Sequence, residues 1–397
     1  MSTSHRIRVL AVIPALDKGG SERQFIEFAK GIDKSRFEVH VATFYGGGQF
    51  QPELEDLAGV SLSVFKEDRS SKAFSSLFQL WSLARRIRPQ VLIGYLNLPA
   101  IFCSLVGSVI GGRVIWCLRS SEVHYEKYGR GMRWSFKAGA YLARTADLIV
   151  LNSTAGKIYH CANGYHGDRM IVIPNGIDTS RFRPDPKAGA AFRQAWGIRE
   201  SERAIGLVGR LDHMKDHPTF LRAAAKLASR HPELKFVCIG GGPPDYAAQL
   251  KSLAAELRLD DRMIWTGDQK EMTAAYNALD LLVSSSSGEG FSNVIAEAMA
   301  AGVPAIVSDV GDSALIIGET GLTFPAGDPD RLAAAVENFL AMSAERSVEL
   351  KTEVRQRIER EFAVEVMVKR MEEVILDLVA MKEASQHVAA KSTLTAN

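Results

Sequence analysis

The amino-acid sequence predicts an α/β protein built from two doubly wound domains that face a central cleft. Apolar strand-like runs alternate with amphipathic helical stretches, which is typical of parallel sheets covered by helices on both faces. The alternation pauses once, at a segment rich in Pro, Asn, Gly and Asp at residues 174–186, and then restarts. Because ligands of such sheets bind at the carboxyl ends of the strands, we expect a site in the cleft between the domains.

The predicted strands of the first domain are uninterrupted apolar runs, which indicates burial on both faces. They lie at residues 8–13, 38–43, 61–64, 91–95, 114–118, 148–151 and 170–173. Amphipathic stretches such as 21–31 and 75–88 predict the helices between them. The uncharged stretch 89–112 has the length of a membrane span, but a glycine turn interrupts it. We therefore interpret it as a strand followed by an apolar helix that begins at Pro99.

The second domain repeats the pattern from residue 204 onward. Its strands are predicted at residues 204–208, 235–239, 262–265, 281–284 and 305–307. We expect an N-terminal domain at residues 1–180 and a C-terminal domain at residues 181–365. A helix at residues 366–384 is expected to pack back on the N-terminal domain, and the small polar tail at 385–397 is expected to be disordered.

The composition is that of a soluble globular protein: among 397 residues, 46% are hydrophobic and 24% are charged. It excludes a disordered chain, a collagen-like fibre and a small disulfide scaffold. Residues 1–183 hold 24 Lys and Arg against 15 Asp and Glu, a net charge of +9, and the remainder holds 24 against 31, a net charge of −7. A basic half followed by an acidic half predicts two modules with different binding partners.

The cysteines show neither metal-binding nor redox spacing, and we interpret them as buried free thiols of a reducing cytosol. They are Cys103, Cys117, Cys161 and Cys238. The apolar run at residues 9–16 is too short for the core of a signal peptide and fits a first strand better. These features predict a cytoplasmic protein.

No metal cofactor is expected. His213 and His217 flank Lys215, but no third ligand stands nearby in the sequence. The Asp-Pro-Asp segment that begins at Asp328 has the D-x-D spacing of a metal motif, yet an amphipathic stretch follows it. We interpret it as a helix N-terminus, with Asp as the cap and Pro in the first turn.

The strongest local motif lies at residues 284–309, where an apolar strand ends in a loop of small residues around Glu289. A helix is predicted to begin near Ser292 or Asn293, and its free N–H groups suit an anion. Glu297 lies further along this helix, eight residues after Glu289. A carboxylate there can accept two hydrogen bonds from vicinal hydroxyls such as those of a ribose. Taken alone, Glu289 also fits a solvated loop residue and Glu297 a charge on the helix surface.

Residues 289–297 resemble the E-x7-E motif of retaining glycosyltransferases with the GT-B fold, especially glycosyltransferase family 4. Further matches occur in compatible order. Residues 18–23 resemble the glycine turn after the first strand of the family, and residues 174–178 resemble its interdomain segment. Residues 209–211, together with Lys215, resemble its phosphate-binding element. The resemblance covers about residues 7–375 and implies a GT-B fold of two Rossmann-like domains.

The resemblance also implies a nucleotide-sugar donor that lies mostly on the C-terminal domain. By motif position, Arg210 and Lys215 would hold the diphosphate and counter the charge that grows on the leaving nucleotide. Glu297 would hold the ribose hydroxyls. Glu289, with the backbone of Gly290 and Phe291, would hold the hydroxyls of the transferred sugar.

Backbone groups would complete the donor site that the resemblance implies. The N–H groups of Ser292, Asn293 and Val294 would add a helix N-terminus to the phosphate. Gly19 and Gly20 would approach it from the N-terminal domain, because glycine lets a backbone come closest. A plain turn is the alternative interpretation for these two glycines.

The sequence departs from the family pattern at two places. The family often shows Lys-Gly after the phosphate-binding arginine, whereas here Asp216 follows Lys215. Many members carry a histidine near the reacting carbon, for which His124 is the candidate. A second candidate is the segment Arg119, Ser120 and Ser121, which lies closer to the end of its strand. Arg119 could instead meet an anionic part of the donor or the acceptor.

The function implied is a retaining, metal-independent transfer of a hexose-type sugar from a UDP- or GDP-sugar to a glycan or lipid-linked acceptor, in cell-surface polysaccharide or glycolipid synthesis. In the mechanism that the resemblance implies, the departing phosphate oxygen would take the acceptor proton, so that no side-chain base is required. Two alternatives stay open. One is a nucleotide-sugar epimerase or a phosphorylase of the same fold, and the other is a non-catalytic module that binds nucleotide sugars.

The basic half contains a segment suited to an anionic membrane. Residues 126–144 interleave basic side chains with Trp134, Phe136 and Tyr141, which fits peripheral contact with lipid on the cytoplasmic face. The basic residues are Lys127, Arg130, Arg133, Lys137 and Arg144. An amphipathic helix that packs its aromatics inward is the alternative. Nucleic acid is not expected as a partner, because no binding motif accompanies the charge.

Overall fold

The computed structural model describes residues 6–17, 19–65, 74–119 and 130–394. It separates into unit 1, formed by Met1–Gly176 with Val364–Asn397, and unit 2, formed by Ile177–Ala363. The sequence places these boundaries at residues 180 and 365 instead. Backbone pairing explains the difference, because Ile177 already pairs with Ala363 in an isolated parallel bridge of unit 2.

The described part of unit 1 contains a seven-stranded parallel sheet with the strand order β3-β2-β1-β4-β5-β6-β7. The strands are β1 (Ile7–Ile13), β2 (Phe37–Thr43), β3 (Val60–Val64), β4 (Val91–Tyr95), β5 (Arg113–Leu118), β6 (Leu148–Leu151) and β7 (Met170–Val172). The helices up to this point are α1 (Gly20–Gly31), α2 (Gln51–Glu55), α3 (Phe74–Ile87), α4 (Asn97–Ile110), α5 (Arg130–Leu142) and α6 (Thr154–Ala162). Every strand expected in this half is present.

Successive residues of β1 point to opposite faces of this sheet, as the pleat requires. Val9 and Ile13 enter the core layer that contains the buried side chains of α1, whereas Leu10 and Val12 enter the layer formed with α3 and α4. The apolar stretch 89–112 therefore becomes β4 and α4 of a buried unit. Among the residues described, no helix combines the length and apolarity that crossing a bilayer requires.

The described part of unit 2 contains a six-stranded parallel sheet with the order β10-β9-β8-β11-β12-β13. Its strands are β8 (Arg203–Val208), β9 (Leu234–Ile239), β10 (Met263–Gly267), β11 (Leu281–Ser284), β12 (Ala305–Ser308) and β13 (Leu322–Phe324). The helices are α7 (Pro186–Ala195), α8 (His217–Ala228), α9 (Pro244–Glu256), α10 (Met272–Asn277), α11 (Asn293–Ala300), α12 (Ser313–Ile317), α13 (Pro329–Leu340) and α14 (Ala344–Glu361). Strand β13 is not among the strands that the sequence predicts, because its three residues are too few for a periodic signal.

The last helix, α15 (Val364–Leu394), belongs to unit 1 and not to the unit that precedes it in the chain. Its side chains Met367, Met371 and Ile375 join the core layer of α1. The helix extends to Leu394, beyond residue 385 at which the disordered tail is expected to begin. This segment is rich in good helix formers, and extending an existing helix avoids the cost of nucleating a new one.

The cysteines are free, and three of them, Cys103, Cys117 and Cys238, are buried. Cys161 is exposed, so the expectation of burial is wrong for this residue. It lies near the end of α6, where its Sγ is 3.8 Å from the Sδ of Met170. Burial raises the pKa of the Cys117 thiol to about 11 and keeps it protonated.

Candidate active site

The motif residues of unit 2 lie on loops that follow adjacent strands of one sheet. Strand β8 ends at Val208 and leads into the segment with Arg210 and Lys215, whereas β11 ends at Ser284 and leads into the loop with Glu289. Strands β8 and β11 are parallel neighbours. Neighbouring parallel strands end at the same edge of a sheet, so these two loops meet.

Lys215 and Glu289 form an ion pair at this edge. The Lys215 ammonium donates to Glu289 Oε1, and the two side chains are only 17% and 10% exposed. Ser286 Oγ donates to the same carboxylate oxygen at 2.8 Å. The structure thus brings together the two residues that the sequence analysis placed on the phosphate and on the sugar.

Hydrogen bonds between the two loops fix this pair. The backbone N–H of Ser287 donates to the Met214 carbonyl at 2.8 Å. The Ser285 hydroxyl lies 3.0 Å from the carbonyl oxygen of Lys215 and 2.9 Å from that of Asp216. The run of serines at residues 284–287 therefore joins the two loops, a role that its repetitive sequence does not predict.

The loop after β8 needs glycine for close approach of two backbones. Gly240, which follows β9, has φ +138°, and a Cβ there would lie 2.1 Å from the Gly209 carbonyl oxygen. The N–H of Leu211 then donates to the Gly241 carbonyl at 2.8 Å. Between these contacts the side chain of Arg210 is exposed.

The Lys-Asp departure from the family pattern has a structural explanation. Asp216 has φ +44° and ψ +53°, a left-handed conformation that glycine adopts freely and that aspartate tolerates better than most residues. Its carboxylate also caps α8, accepting from Thr219 N at 3.3 Å and from Thr219 Oγ1 at 2.6 Å. Aspartate thus takes the place of glycine and adds a helix cap.

Helix α11 begins at Asn293 after the N-cap residue Ser292, as the sequence predicts. The N–H groups of its first turn, including that of Val294, have no acceptor within the helix and point toward its start. Phe291 is buried, and its ring lies 5.4 Å from the ring of Phe362. Its side chain therefore belongs to the core of unit 2.

The Glu289 loop is supported by the segment after β12. The N–H of Asp312 donates to the Gly290 carbonyl at 3.0 Å. Gly311 has φ +58°, and a Cβ on it would lie 2.3 Å from the Glu289 carbonyl oxygen. This close contact holds the backbone on which Glu289 is mounted.

Glu297 lies on α11 and has a partner that sequence reasoning missed. The hydroxyl of Tyr276, on α10, donates to Glu297 Oε2 at 2.7 Å. Tyr276 is fully buried, and burial together with the negative charge of Glu297 raises its pKa well above the ordinary value. In the sequence Tyr276 is a single tyrosine in a short helix, and nothing in that pattern predicts its contact with Glu297.

His217, the first residue of α8, is a buried polar residue two positions after Lys215. Its side chain is fully buried, and neither ring nitrogen has a hydrogen-bond partner among the described residues. Burial, and next the positive charge of Lys215, lower its pKa to about 4. The imidazole is therefore neutral near pH 7.

The described residues contain no group of three or more His, Cys, Asp and Glu side chains arranged to hold a metal ion. His213 instead packs against the ring of Tyr246, with ring centroids 4.2 Å apart. Asp328 caps α13, accepting from the N–H groups of Asp330 and Arg331 at 3.0 Å each. The interpretation of the D-x-D segment as a helix N-terminus is confirmed.

Two candidate glycines of unit 1 lie at the start of α1. Gly19 is the N-cap residue of α1 and Gly20 is its first residue, and a Cβ on Gly19 would lie 2.3 Å from Glu22 Oε2. Arg119 donates to Asn175 Oδ1 at 2.7 Å. The candidates His124, Ser120 and Ser121 lie outside the described residues, as does Lys18.

Family models match both halves of the chain. Residues 18–181 match the model described as Glycosyltransferase Family 4, and residues 202–342 match the model described as Glycosyl transferases group 1. The class of the protein is therefore that of the glycosyltransferases. Within that class the chain belongs to family 4, which confirms the family that the motifs indicate.

Relatives carry names of this class. The chain is 32% identical to a D-inositol 3-phosphate glycosyltransferase of Corynebacterium urealyticum, over 51% of this chain and 50% of that protein. It is 31% identical to the lipopolysaccharide core biosynthesis mannosyltransferase LpsB of Rhizobium meliloti, over 50% and 57%. It is 24% identical to the putative glycosyltransferase EpsF of Bacillus subtilis, over 78% and 80%. The chain thus spans about half the length of the first two relatives.

Solved structures show the same fold. Anabaena Alr3699/HepE in complex with UDP superposes with a TM-score of 0.80 at 19% identity, covering 94% of this chain and all of that one. A glycosyltransferase of Rickettsia africae gives a TM-score of 0.80 at 18% identity, covering 94% and 99%. The expected GT-B fold of two Rossmann-like domains is confirmed.

Proposed function

We propose that this protein transfers a hexose-type sugar from a UDP- or GDP-sugar to a hydroxyl of a glycan or lipid-linked acceptor, with retention at the anomeric carbon and without a metal cofactor. The observation that carries the proposal is the Lys215–Glu289 pair, which lies at the edge of the unit 2 sheet. A cation, a carboxylate and a helix N-terminus at one edge suit the diphosphate and the sugar of such a donor.

The donor is held by groups of opposite character. Lys215 and Arg210 bind the diphosphate, helped by the first-turn N–H groups of α11. Glu289 accepts hydrogen bonds from the hydroxyls of the transferred sugar, and Glu297 accepts them from the ribose. When the donor binds, the Lys215 ammonium exchanges its contact with Glu289 for the phosphate oxygens, which leaves the carboxylate to the sugar.

The reaction breaks the bond between the anomeric carbon and the phosphate oxygen and forms a bond from that carbon to the acceptor oxygen. The acceptor proton passes to the departing phosphate oxygen on the same face, so no side-chain base is required. Lys215 and Arg210 stabilise the charge on the nucleoside diphosphate as it leaves. Since these cations do the work of a metal ion, the site suits metal-independent transfer.

UDP-sugars are the first donors to test. Alr3699/HepE, which shares the fold, has been crystallised with UDP and with UDP-glucose. Product analysis separates the two open alternatives. An epimerase converts the donor without an acceptor, a phosphorylase requires phosphate, and a non-catalytic module binds the nucleotide sugar without releasing nucleotide.

The test is nucleotide release from UDP- and GDP-hexoses with mixed glycan and lipid-linked acceptors. Lys215→Ala and Glu289→Ala are each expected to lower kcat/KM about 100-fold or more. The first variant loses a cation that stabilises the leaving diphosphate, and the second loses the acceptor for the hydroxyls of the transferred sugar. The surface pair Lys226 and Asp330 gives matched control variants, Lys226→Ala and Asp330→Ala, which should retain activity. Unchanged turnover in the Lys215 and Glu289 variants contradicts the site.

We further propose peripheral contact of unit 1 with anionic lipid on the cytoplasmic face. Exposed aromatic side chains lie on α3 and α5, where Phe78 and Tyr141 are 67% and 69% exposed. Arg144, in the turn that follows α5, lies over the Tyr141 ring at 5.5 Å. Phe136 is buried, so this aromatic packs inward instead. Rings and cations together suit a membrane interface.

Vesicle flotation tests this contact. The protein is expected to float with vesicles that contain phosphatidylglycerol and to stay with the bottom fraction when the vesicles are pure phosphatidylcholine. Phe78→Ser with Tyr141→Ser should reduce flotation, whereas Val348→Ser, at a 67% exposed position of unit 2, should not. Equal flotation by both variants contradicts the proposed surface.

A further inference from the structure

The hydrogen bond between Tyr276 and Glu297 joins a buried hydroxyl to a carboxylate of the proposed nucleotide-sugar site. Tyr276 is fully buried, and its hydroxyl lies 2.7 Å from Glu297 Oε2. Glu297 is half-buried on α11. A tyrosine hydroxyl can donate only one hydrogen bond, so its direction toward Glu297 is a specific feature of this site.

Helix α10, which carries Tyr276, is held rigidly within unit 2. Asn277 Oδ1 accepts from the N–H of Asp185 at 2.6 Å, and Asn277 Nδ2 donates to the Arg183 carbonyl at 2.9 Å. The ring of Phe182 meets the ring of Tyr276 edge-on, with centroids 6.0 Å apart. The tyrosine hydroxyl is therefore presented from a fixed position.

A hydroxyl held in a fixed position lowers the entropy that the Glu297 side chain loses when it binds a ligand. An unrestrained glutamate on a helix surface must lose rotational freedom when it binds a ligand, which weakens binding. The bond from Tyr276 to one oxygen restricts the rotation of the carboxylate before a ligand arrives. The carboxylate has about four lone-pair sites, and the bond from tyrosine occupies one of them.

We propose that Tyr276 is a positioning residue that sets the recognition of the ribose hydroxyls through Glu297. The inference rests on the proposed function, which assigns Glu297 to the ribose. Tyr276 is buried and meets no substrate itself. Its hydroxyl instead orients the carboxylate, so its removal should weaken discrimination between ribose and 2′-deoxyribose more than it weakens nucleotide binding in general.

The experiment is calorimetric titration of the full chain with UDP and with 2′-deoxy-UDP, or with the guanosine pair if the transfer assay identifies a GDP-sugar. The wild-type protein is expected to bind UDP about tenfold more tightly than 2′-deoxy-UDP, the scale of a hydrogen bond to a charged group. Tyr276→Phe should reduce this ratio to about threefold or less, with little change in the affinity for 2′-deoxy-UDP.

Two further variants separate positioning from packing. Tyr276→p-aminophenylalanine restores an N–H donor at the same place and should recover the wild-type ratio, which also covers the case in which the phenylalanine variant fails to fold. Tyr165→Phe removes another buried tyrosine hydroxyl, one that donates to the Phe136 carbonyl at 3.5 Å in unit 1, and should leave the ratio unchanged.

The inference is overturned if Tyr276→Phe keeps the wild-type ratio or weakens both nucleotides equally, since either result indicates a packing role. It is overturned as well if p-aminophenylalanine does not restore the ratio. If the wild-type protein binds UDP and 2′-deoxy-UDP with equal affinity, Glu297 does not bind the ribose 2′-hydroxyl and the inference is overturned. The proposed function is not overturned by that result, because the transfer assay with the Lys215 and Glu289 variants tests it separately.

Discussion

At the scale of single residues, the polar groups of the site are matched to one another by short contacts. Glu289 accepts from Lys215 and Ser286, and Glu297 accepts from Tyr276. These contacts hold both carboxylates in place at a partly buried edge of unit 2. His217 is the exception, because its ring is buried without a hydrogen-bond partner in the part of the chain that the structure describes.

The buried imidazole of His217 predicts a loss of stability in acid. Its pKa is lowered from 6.5 to about 4, so between these values the unfolded chain binds a proton that the folded chain rejects. The free energy of unfolding should therefore be unaffected above pH 6.5 and fall by up to about 3 kcal/mol as the pH drops toward 4. Urea unfolding at pH 7.5 and pH 5 measures this fall.

The control is His217→Leu, which fills a similar volume without a titrating group. Its unfolding free energy should depend less on pH than that of the wild type. Carboxylates with a lowered pKa, such as Glu202 beside Arg199, affect both proteins alike and cancel in the comparison. Parallel pH profiles for the two proteins would contradict the role given to the imidazole.

At the scale of elements, the site depends on strand–loop–helix units whose loops are pressed against one another. The loop after β11 carries Glu289, and the segment after β12 supports it through Gly311 and Asp312. A glycine with a positive φ is needed there for two reasons, the backbone conformation and the space for the Glu289 carbonyl.

Alanine variants of Gly311 and Gly327 separate the effect of the backbone conformation from that of the space beside the Glu289 carbonyl. Gly327→Ala has the same kind of backbone strain, with φ +75°, but nothing lies within 4 Å of the added Cβ. It should cost about 1 kcal/mol of stability and leave kcat/KM unchanged. Gly311→Ala adds a collision with the Glu289 carbonyl and should cost about 2 kcal/mol or more while lowering kcat/KM. Equal activity of both variants would show that the Glu289 loop adjusts freely.

At the scale of the whole molecule, the chain returns to unit 1 after completing unit 2. Helix α15 buries Met367, Met371 and Ile375 in the core layer of α1. Unit 1 is therefore complete only when the last helix has been made, because these side chains cover an apolar face of its sheet.

Two methionines on α15 test this contribution. Met371 is fully buried, whereas Met381 is 61% exposed. Met371→Ala should lower the free energy of unfolding by about 2–5 kcal/mol, and Met381→Ala by no more than about 0.5 kcal/mol. Denaturant unfolding followed by tryptophan fluorescence measures both. A similar small loss for the two variants would mean that α15 is not part of the unit 1 core.

The sequence by itself determined both sheets, the alternation of strands and helices, and the family. Those features depend on local patterns, since a strand buried on both faces must be apolar throughout and a glycine loop must precede the helix that follows it. The boundaries of the units, the length of α15 and strand β13 were less predictable, because each depends on packing or on pairing with distant residues.

Only the tertiary structure decided which polar groups meet. Lys215 and Glu289 are 74 residues apart in the chain, and Tyr276 and Glu297 are 21 apart. Motif spacing places such residues at one edge of a sheet, but a hydrogen bond forms only within about 3 Å. That distance is set by the packing of α10 against α11 and by the contact of two loops, for which the sequence carries no periodic signal.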